Sequence, residues 1–361
     1  MFTKKINHTA NVFLAIAIIA LSIDVFNSAY ILFNYYTAFP HFLGVTFSFP
    51  FLYGPIFYLY AKLLSSNDQT FYKKLYLHFI PFIVAIIYAL VFFYFKTGEN
   101  KIELVKLGIE NSLPGLEIIN YLKPVHGIIY VILTIILVRE YNKKIKSSYS
   151  NIDQINLDWL LHLTIGLSLI WGIVIFSYVY NEFNKEEIEL DFLIYIAASV
   201  LIYSIGYLSL RQPQIFTQSF IDTENKTLPT ENNSNQRKSY KQSGLKAEEA
   251  ELHLNNLIKL MENEKPYLTT NLTLKDLADK LNISTHNLSE IINTQLNQNF
   301  YDFVNSYRVE EVKRKLTEDD SLKFSLIAIA FDSGFNSKSA FNSIFKKHTN
   351  VTPSQYRNQL K

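Results

Sequence analysis

Two short stretches carry the side chains best suited to chemistry. In "SKSAFNSIFKKHT", residues 337–349, Lys338, Ser339, Asn342, Ser343 and Lys346 share one helical side. In "STHNLSEIINTQ", residues 284–295, Thr285, His286, Ser289, Glu290 and Asn293 do the same. These types donate or accept hydrogen bonds, or carry charge, from an exposed position. Displayed along a helix they suit phosphates and base edges in a duplex major groove, with lysine on phosphate or guanine and asparagine on adenine. Glu290 either accepts from cytosine or simply faces solvent. The opposite face and the flanking turns show how these helices are held.

Those flanks form a pattern. In "LTLKDLADKLNISTHNLSEIINTQL", residues 272–296, Leu274, Leu277, Ala278 and Leu281 make one apolar helix face. Asn282 suits a left-handed turn, Ile283 is a buried turn residue, and Ser284 can cap the next helix, whose Leu288, Ile291 and Ile292 face inward. About fifty residues on, Leu326, Ile327, Ala330 and Phe331 give a first helix its face. Gly334 ends it, Phe335 fills the turn, Ser337 caps the second helix, and Ala340, Phe341, Ile344 and Phe345 point inward. Between the two, "NFYDFVNSYRVEEVKRKL" reads as one helix buried through Phe300, Phe303, Val304, Tyr307 and Val312. The expectation is two helix-turn-helix units, with recognition helices about 34 Å apart.

The chain that carries them starts in another style. Of its 361 residues 49% are apolar and 15% aromatic, its net charge is only +2, and it has no cysteine, which excludes disulfides, thiolate metal sites and a cysteine nucleophile. Six apolar stretches, roughly 11–36, 42–64, 75–95, 121–141, 158–180 and 191–210, are long enough to span a bilayer. Lys4, Lys5, Lys62, Lys73, Lys74, Arg139, Lys143, Lys144, Lys146 and Arg211 fall on alternate sides of these stretches, whereas "NEFNKEEIELD" is acidic. That asymmetry puts both termini of a multi-pass membrane protein in the cytoplasm. Asp24, within the first stretch, is either a coupling site or a packed polar contact with Asn27 or a tyrosine hydroxyl. His78, His126 and His162 sit near span ends. Pro50, Gly54 and Pro55 fall inside the second stretch, where a kink would shape a pocket or settle packing.

Three segments result: a membrane bundle over 1–211, a polar flexible linker over 212–245, and a soluble all-α domain over 246–361. Ala247, Ala250, Leu254, Leu257 and Met261 form a short heptad-like stripe, which either packs on the following domain or pairs two copies as a homodimer. Residues 246–361 hold 15 basic and 15 acidic side chains, but 321–361 hold six basic residues and one acid, Asp332. Phosphate attraction therefore concentrates in the second unit. No HExxH, GxSxG or phosphate-cradling glycine loop occurs, so neither an enzyme, a cofactor nor a metal is implied.

Residues 266–357 resemble the AraC-type DNA-binding domain. The resemblance is carried by "LADKLNIS", "LSEIIN", "NSYRVEEVKRKL" and "IAIAFDSGFNSKSAFNSIFKKHTNVTPSQYR", with Gly334, Phe335, Phe341, Phe345, Pro353 and Tyr356 on the family signature. Asn350 replaces the usual glycine and tolerates the same left-handed backbone; Glu290 stands where many members carry a basic or neutral residue. The resemblance implies seven helices, two helix-turn-helix units and transcriptional regulation. "FPFLYGPIFYLY", "INLDWL" and "GYLSLRQPQIF" extend it to a membrane-anchored subgroup of Bacteroidetes-like bacteria, in which about seven spans precede the domain. With six spans read here, a further N-terminal span or a late start assignment is expected. The expected partners are double-stranded DNA, the lipid bilayer and an unidentified signal ligand. The rivals are a transporter or channel with a regulatory tail, and an adaptor whose helix-turn-helix domain binds protein.

Overall fold

A computed structural model describes residues 8–65, 69–107, 113–153, 155–184, 190–211, 247–318 and 323–360. The 212–245 linker lies outside the described residues. Every regular element among the described residues is helical, and the one extended pairing is an isolated antiparallel bridge between Tyr149 and Thr273. The chain divides into two compact units. One is drawn from Met1–Tyr141 and Leu157–Lys226, the other from Asn142–Asn156 and Thr227–Lys361.

The first unit contains α1 (His8–Leu32), α2 (Pro50–Ser65), α3 (Ile80–Ala89), α4 (Gly98–Leu107), most of α5 (Leu116–Ser148), α6 (Asp158–Asn184) and α7 (Asp191–Arg211). α1 packs along α2 and α7, and α6 along α7. The small buried residues Ala10, Ala17 and Ala20 let α1 approach its neighbours closely. Gly127 on α5 has a similar purpose: a Cβ there would lie 2.1 Å from the Trp171 indole of α6. The core is otherwise built from Leu14, Ile56, Tyr60, Leu160 and Ile205.

Four described segments are long and apolar enough to cross a membrane: Thr9–Leu32, Lys74–Tyr94, Leu116–Ser148 and Asp158–Asn181. This is fewer than the six stretches read from the sequence. The stretch at 42–64 is broken, because Gly44 turns at φ +76° and α2 begins only at Pro50. Its 16 residues reach about 24 Å, short of a hydrocarbon core. Pro50 therefore opens the helix, while Pro55 lies inside it. In α7 the apolar part is the shorter Phe192–Leu208. Only 17–33% of the most apolar window in each of the four segments is buried, and Phe26 and Leu32 are 75% and 76% exposed.

The second unit holds α8 (Ala247–Asn263), α9 (Leu274–Leu281), α10 (Thr285–Gln295), α11 (Phe300–Leu316), α12 (Leu326–Asp332), α13 (Lys338–Thr349) and α14 (Pro353–Gln359). It has two small cores joined by α11. Phe300, Phe303 and Val304 enter the first, with Leu257, Met261, Leu277, Leu288 and Ile292. Val309, Val312 and Leu316 enter the second, with Ala330, Phe335, Phe341 and Phe345. One 17-residue helix thus fixes both α9–α10 and α12–α13. Leu257 and Met261, the C-terminal end of the heptad-like stripe, are fully buried in the first core.

Candidate nucleic-acid interface

Each helix pair is set by cap and turn chemistry. The Thr273 hydroxyl accepts from the Asp276 N–H, and the Asp276 carboxylate accepts from the Thr273 N–H, closing a reciprocal cap on α9. Asn282 ends α9 at φ +53°, and the Ser284 hydroxyl accepts from the Asn287 N–H to start α10. In the second pair Ser325 caps α12 and Ser337 caps α13. Gly334 turns between them at φ +92°, and a Cβ there would sit 2.3 Å from the Tyr267 carbonyl oxygen. Glycine is required at this position twice over, by backbone hand and by space. Asn350 ends α13 in the left-handed region at φ +60°.

These turns present the expected faces. Lys338, Ser339, Asn342, Ser343 and Lys346 are all exposed along α13, opposite buried Phe341, Ile344 and Phe345. On α10, Thr285, His286 and Asn293 are exposed, while Ser289 and Glu290 are half-buried opposite Leu288, Ile291 and Ile292. Asn293 Nδ2 donates to Ser289 Oγ at 3.2 Å, and His286 Nε2 lies 4.0 Å from the Glu290 carboxylate. The α10 face is thus partly knitted to itself, and on α13 Ser339 Oγ lies 3.2 Å from Ser337 Oγ. Asp24 belongs to the first unit, where Tyr53 donates its hydroxyl to the carboxylate at 2.8 Å. There His78 Nδ1 lies 2.8 Å from the Tyr130 hydroxyl, His126 packs against Phe51 and Tyr130, and His162 is exposed.

The inward face of α12 differs from the sequence expectation. Ile329 and Ala330 are buried, whereas Phe331 is 47% exposed and Ile327 only half-buried. The helix has seven residues and is rotated so that Leu326, Ile329, Ala330 and Ser333 follow its inner side.

Sequence reasoning missed the polar clamp of α11. Arg308 is 1% exposed and donates to the carbonyls of Tyr267 (2.8 Å), Thr269 (2.9 Å) and Thr270 (3.2 Å). Burial pulls its guanidinium down to about 10, so it remains charged at neutral pH. One turn on, Glu311 accepts from Arg314 Nη2 at 2.7 Å and Lys265 Nζ at 3.3 Å. Arg314 first, then Lys265, hold that carboxyl down at about 2. A signal existed: Arg308 sits midway between Val304 and Val312 on the apolar stripe, where a solvated charge does not belong.

A helix-turn-helix domain family matches residues 277–359. A probable transcription factor of Proteus vulgaris, PqrA, is 30% identical over 108 residues, which are 30% of this chain and 85% of that protein. The chain belongs to the AraC-like helix-turn-helix regulators. An uncharacterized HTH-type transcriptional regulator of Staphylococcus aureus (strain COL) is 35% identical over 86 residues, or 24% of this chain. The chain spans only 11% of that relative's length. A solved protein of unknown function from Listeria innocua is 28% identical over 29% of this chain and 95% of that one, with a TM-score of 0.26. In this AraC-like chain the match falls wholly inside the second unit.

Proposed function

We propose that the protein is a membrane-anchored, one-component transcriptional regulator. Its two helix-turn-helix units enter successive major grooves of double-stranded DNA through α10 and α13. The observation that carries this reading is the α13 face: five polar or cationic side chains, all exposed, on a helix whose other side is fully packed. Lys338 and Lys346 meet phosphates, and Asn342, with Ser339 and Ser343, reads base edges. Thr285, His286, Ser289, Glu290 and Asn293 supply the second half of the footprint.

The apolar segments of the first unit support anchoring in a lipid bilayer, since most of their surface has no protein cover. The lysine pattern then puts both termini in the bacterial cytoplasm, where DNA is available. A signal that reaches the bundle, with Asp24 and Tyr53 as a candidate coupling pair, alters the DNA-binding domain. Leu257 and Met261 are committed to the core, so any homodimer contact falls to the N-terminal half of α8.

The test is the double variant Lys338→Ala/Asn342→Ala in the full chain. Loss of one base contact and one phosphate contact should cost about 2 kcal/mol or more, roughly thirtyfold in Kd for a selected duplex. Circular dichroism should be unchanged. Undiminished affinity overturns the assignment.

A further inference from the structure

The second unit includes a segment from far upstream. Residues 142–156, the end of α5 and most of the loop that leads to α6, group with the DNA-binding helices. The contacts are specific. Tyr149 bridges Thr273, and the Ser150 N–H donates to the Leu272 carbonyl at 3.1 Å. Asn151 Nδ2 donates to Asn271 Oδ1 at 3.0 Å. The Ser150 carbonyl accepts from Asn305 Nδ2 at 3.2 Å and Arg308 Nη1 at 3.1 Å, and Ser150 Oγ accepts from Arg308 Nη2 at 3.1 Å. Ser337 donates its hydroxyl to the Asp153 carboxylate. Ser150 is 1% exposed.

Two features of this docking bear on regulation. Its hydrogen bonds are side-chain and backbone polar contacts, and neither core of the second unit includes a residue of 142–156, although Ile145, Ile152 and Ile155 are buried. Apart from the segment, Arg308 keeps acceptors at Tyr267, Thr269 and Thr270. The segment's acidic end is also placed where an anion belongs. Ser337 is the N-cap of the 12-residue helix α13, directly before Lys338, and a helix N-terminus beside a lysine attracts a phosphate. Asp153 puts a carboxylate there instead.

We propose that the 149–153 segment is a tether that competes with DNA for the DNA-binding domain. While docked, it holds the α13 N-terminus and restrains the lead-in to α9. When DNA binds, phosphate replaces Asp153 and the segment leaves. Because the segment is covalently continuous with α5 and α6, a change in those helices alters the docking equilibrium and so the DNA affinity. This route needs no force through the distant linker. The inference rests on the DNA-binding reading above, and its test separates the two.

The chain has no cysteine, so Asn151→Cys/Asn271→Cys in the full-length protein gives a clean pair of thiols. The purified variant, in detergent micelles, is treated with a short thiol–thiol cross-linker, with and without a duplex selected from random sequence by the wild-type chain. Cross-linking should be efficient in the free protein and at least tenfold slower with saturating duplex. The linked form should bind that duplex at least tenfold more weakly than the unlinked form. Asp153→Ala should bind it more tightly than wild type, by about three- to tenfold. Absence of cross-linking in the free protein refutes docking. Equal cross-linking rates with and without duplex, or equal affinity of linked and unlinked forms, refute competition. A chain that cross-links but selects no duplex refutes the DNA reading and the competition, and leaves the docked segment standing.

Discussion

Gly334→Ala tests how the second helix pair is held on the domain. At φ +92° the alanine backbone is in the left-handed half of conformational space, which costs about 1–2 kcal/mol. The new Cβ would lie 2.3 Å from the Tyr267 oxygen, 2.9 Å from Arg308 Nε and 3.1 Å from Leu268 Cα. Two of the three are backbone atoms, and the third belongs to a fully buried guanidinium, so none can swing aside. The Tyr267 carbonyl must retreat, and in doing so it lengthens its 2.8 Å bond from Arg308. A buried hydrogen bond to a charged donor contributes about 1.5–3 kcal/mol. The sum is about 3–5 kcal/mol, a large share of the stability of a small domain. Both tryptophans, Trp159 and Trp171, lie in the first unit, so indole fluorescence does not follow this event. Hydrogen exchange by mass spectrometry does: amides of α11, α12 and α13 should lose about two to four decades of protection, while those of α1 and α6 keep theirs. Protection in α11–α13 within tenfold of wild type would refute the argument from the turn.

Other outcomes follow from the same contacts. Glu311 is held well below the ordinary carboxylate range, so its contribution is full above about pH 4.5 and is lost as pH falls toward about 2. Glu311→Gln should cost about 2 kcal/mol at pH 7 and flatten the acid limb of a denaturation curve; an unchanged limb contradicts the assignment. Arg308→Leu strands the Tyr267 and Thr270 carbonyls and should cost about 3–5 kcal/mol, read as lost exchange protection at the Leu268, Thr269 and Leu272 amides of the same loop. Asn350→Gly should shift stability by less than about 1 kcal/mol, because both residues accept φ +60°, whereas Asn350→Val should cost about 1–2 kcal/mol in thermal unfolding.

What the sequence disclosed was local. The caps of Ser284 and Ser337 and the left-handed backbones of Asn282, Gly334 and Asn350 are set within a few positions, so type and spacing were enough to read those roles, but not the approach of Gly334 to Tyr267 or the bond from Ser337 to Asp153. The exposed faces of α10 and α13 followed from the apolar residues opposite them. The short α12 is harder: seven residues give two turns, too few to tell the face Leu326, Ile327, Ala330 and Phe331 from the one the helix buries, and Phe331 is exposed. At 42–64 hydropathy was continuous while the backbone was not, because a left-handed glycine and a helix-opening proline outweigh composition. Arg308 was illegible for another reason. Its partners are loop carbonyls about forty positions away and, at Ser150, 158 positions away, which no local pattern encodes.

The most direct measurement is selection of DNA by the full-length protein in detergent micelles, from a random duplex pool at physiological salt. The account predicts one enriched sequence with two contact blocks about one helical turn apart, and an affinity that falls steeply with added salt. It also predicts that Lys338→Ala/Asn342→Ala loses one block preferentially. Failure of a folded, full-length chain to enrich any duplex, or enrichment that the double variant leaves intact, would contradict it.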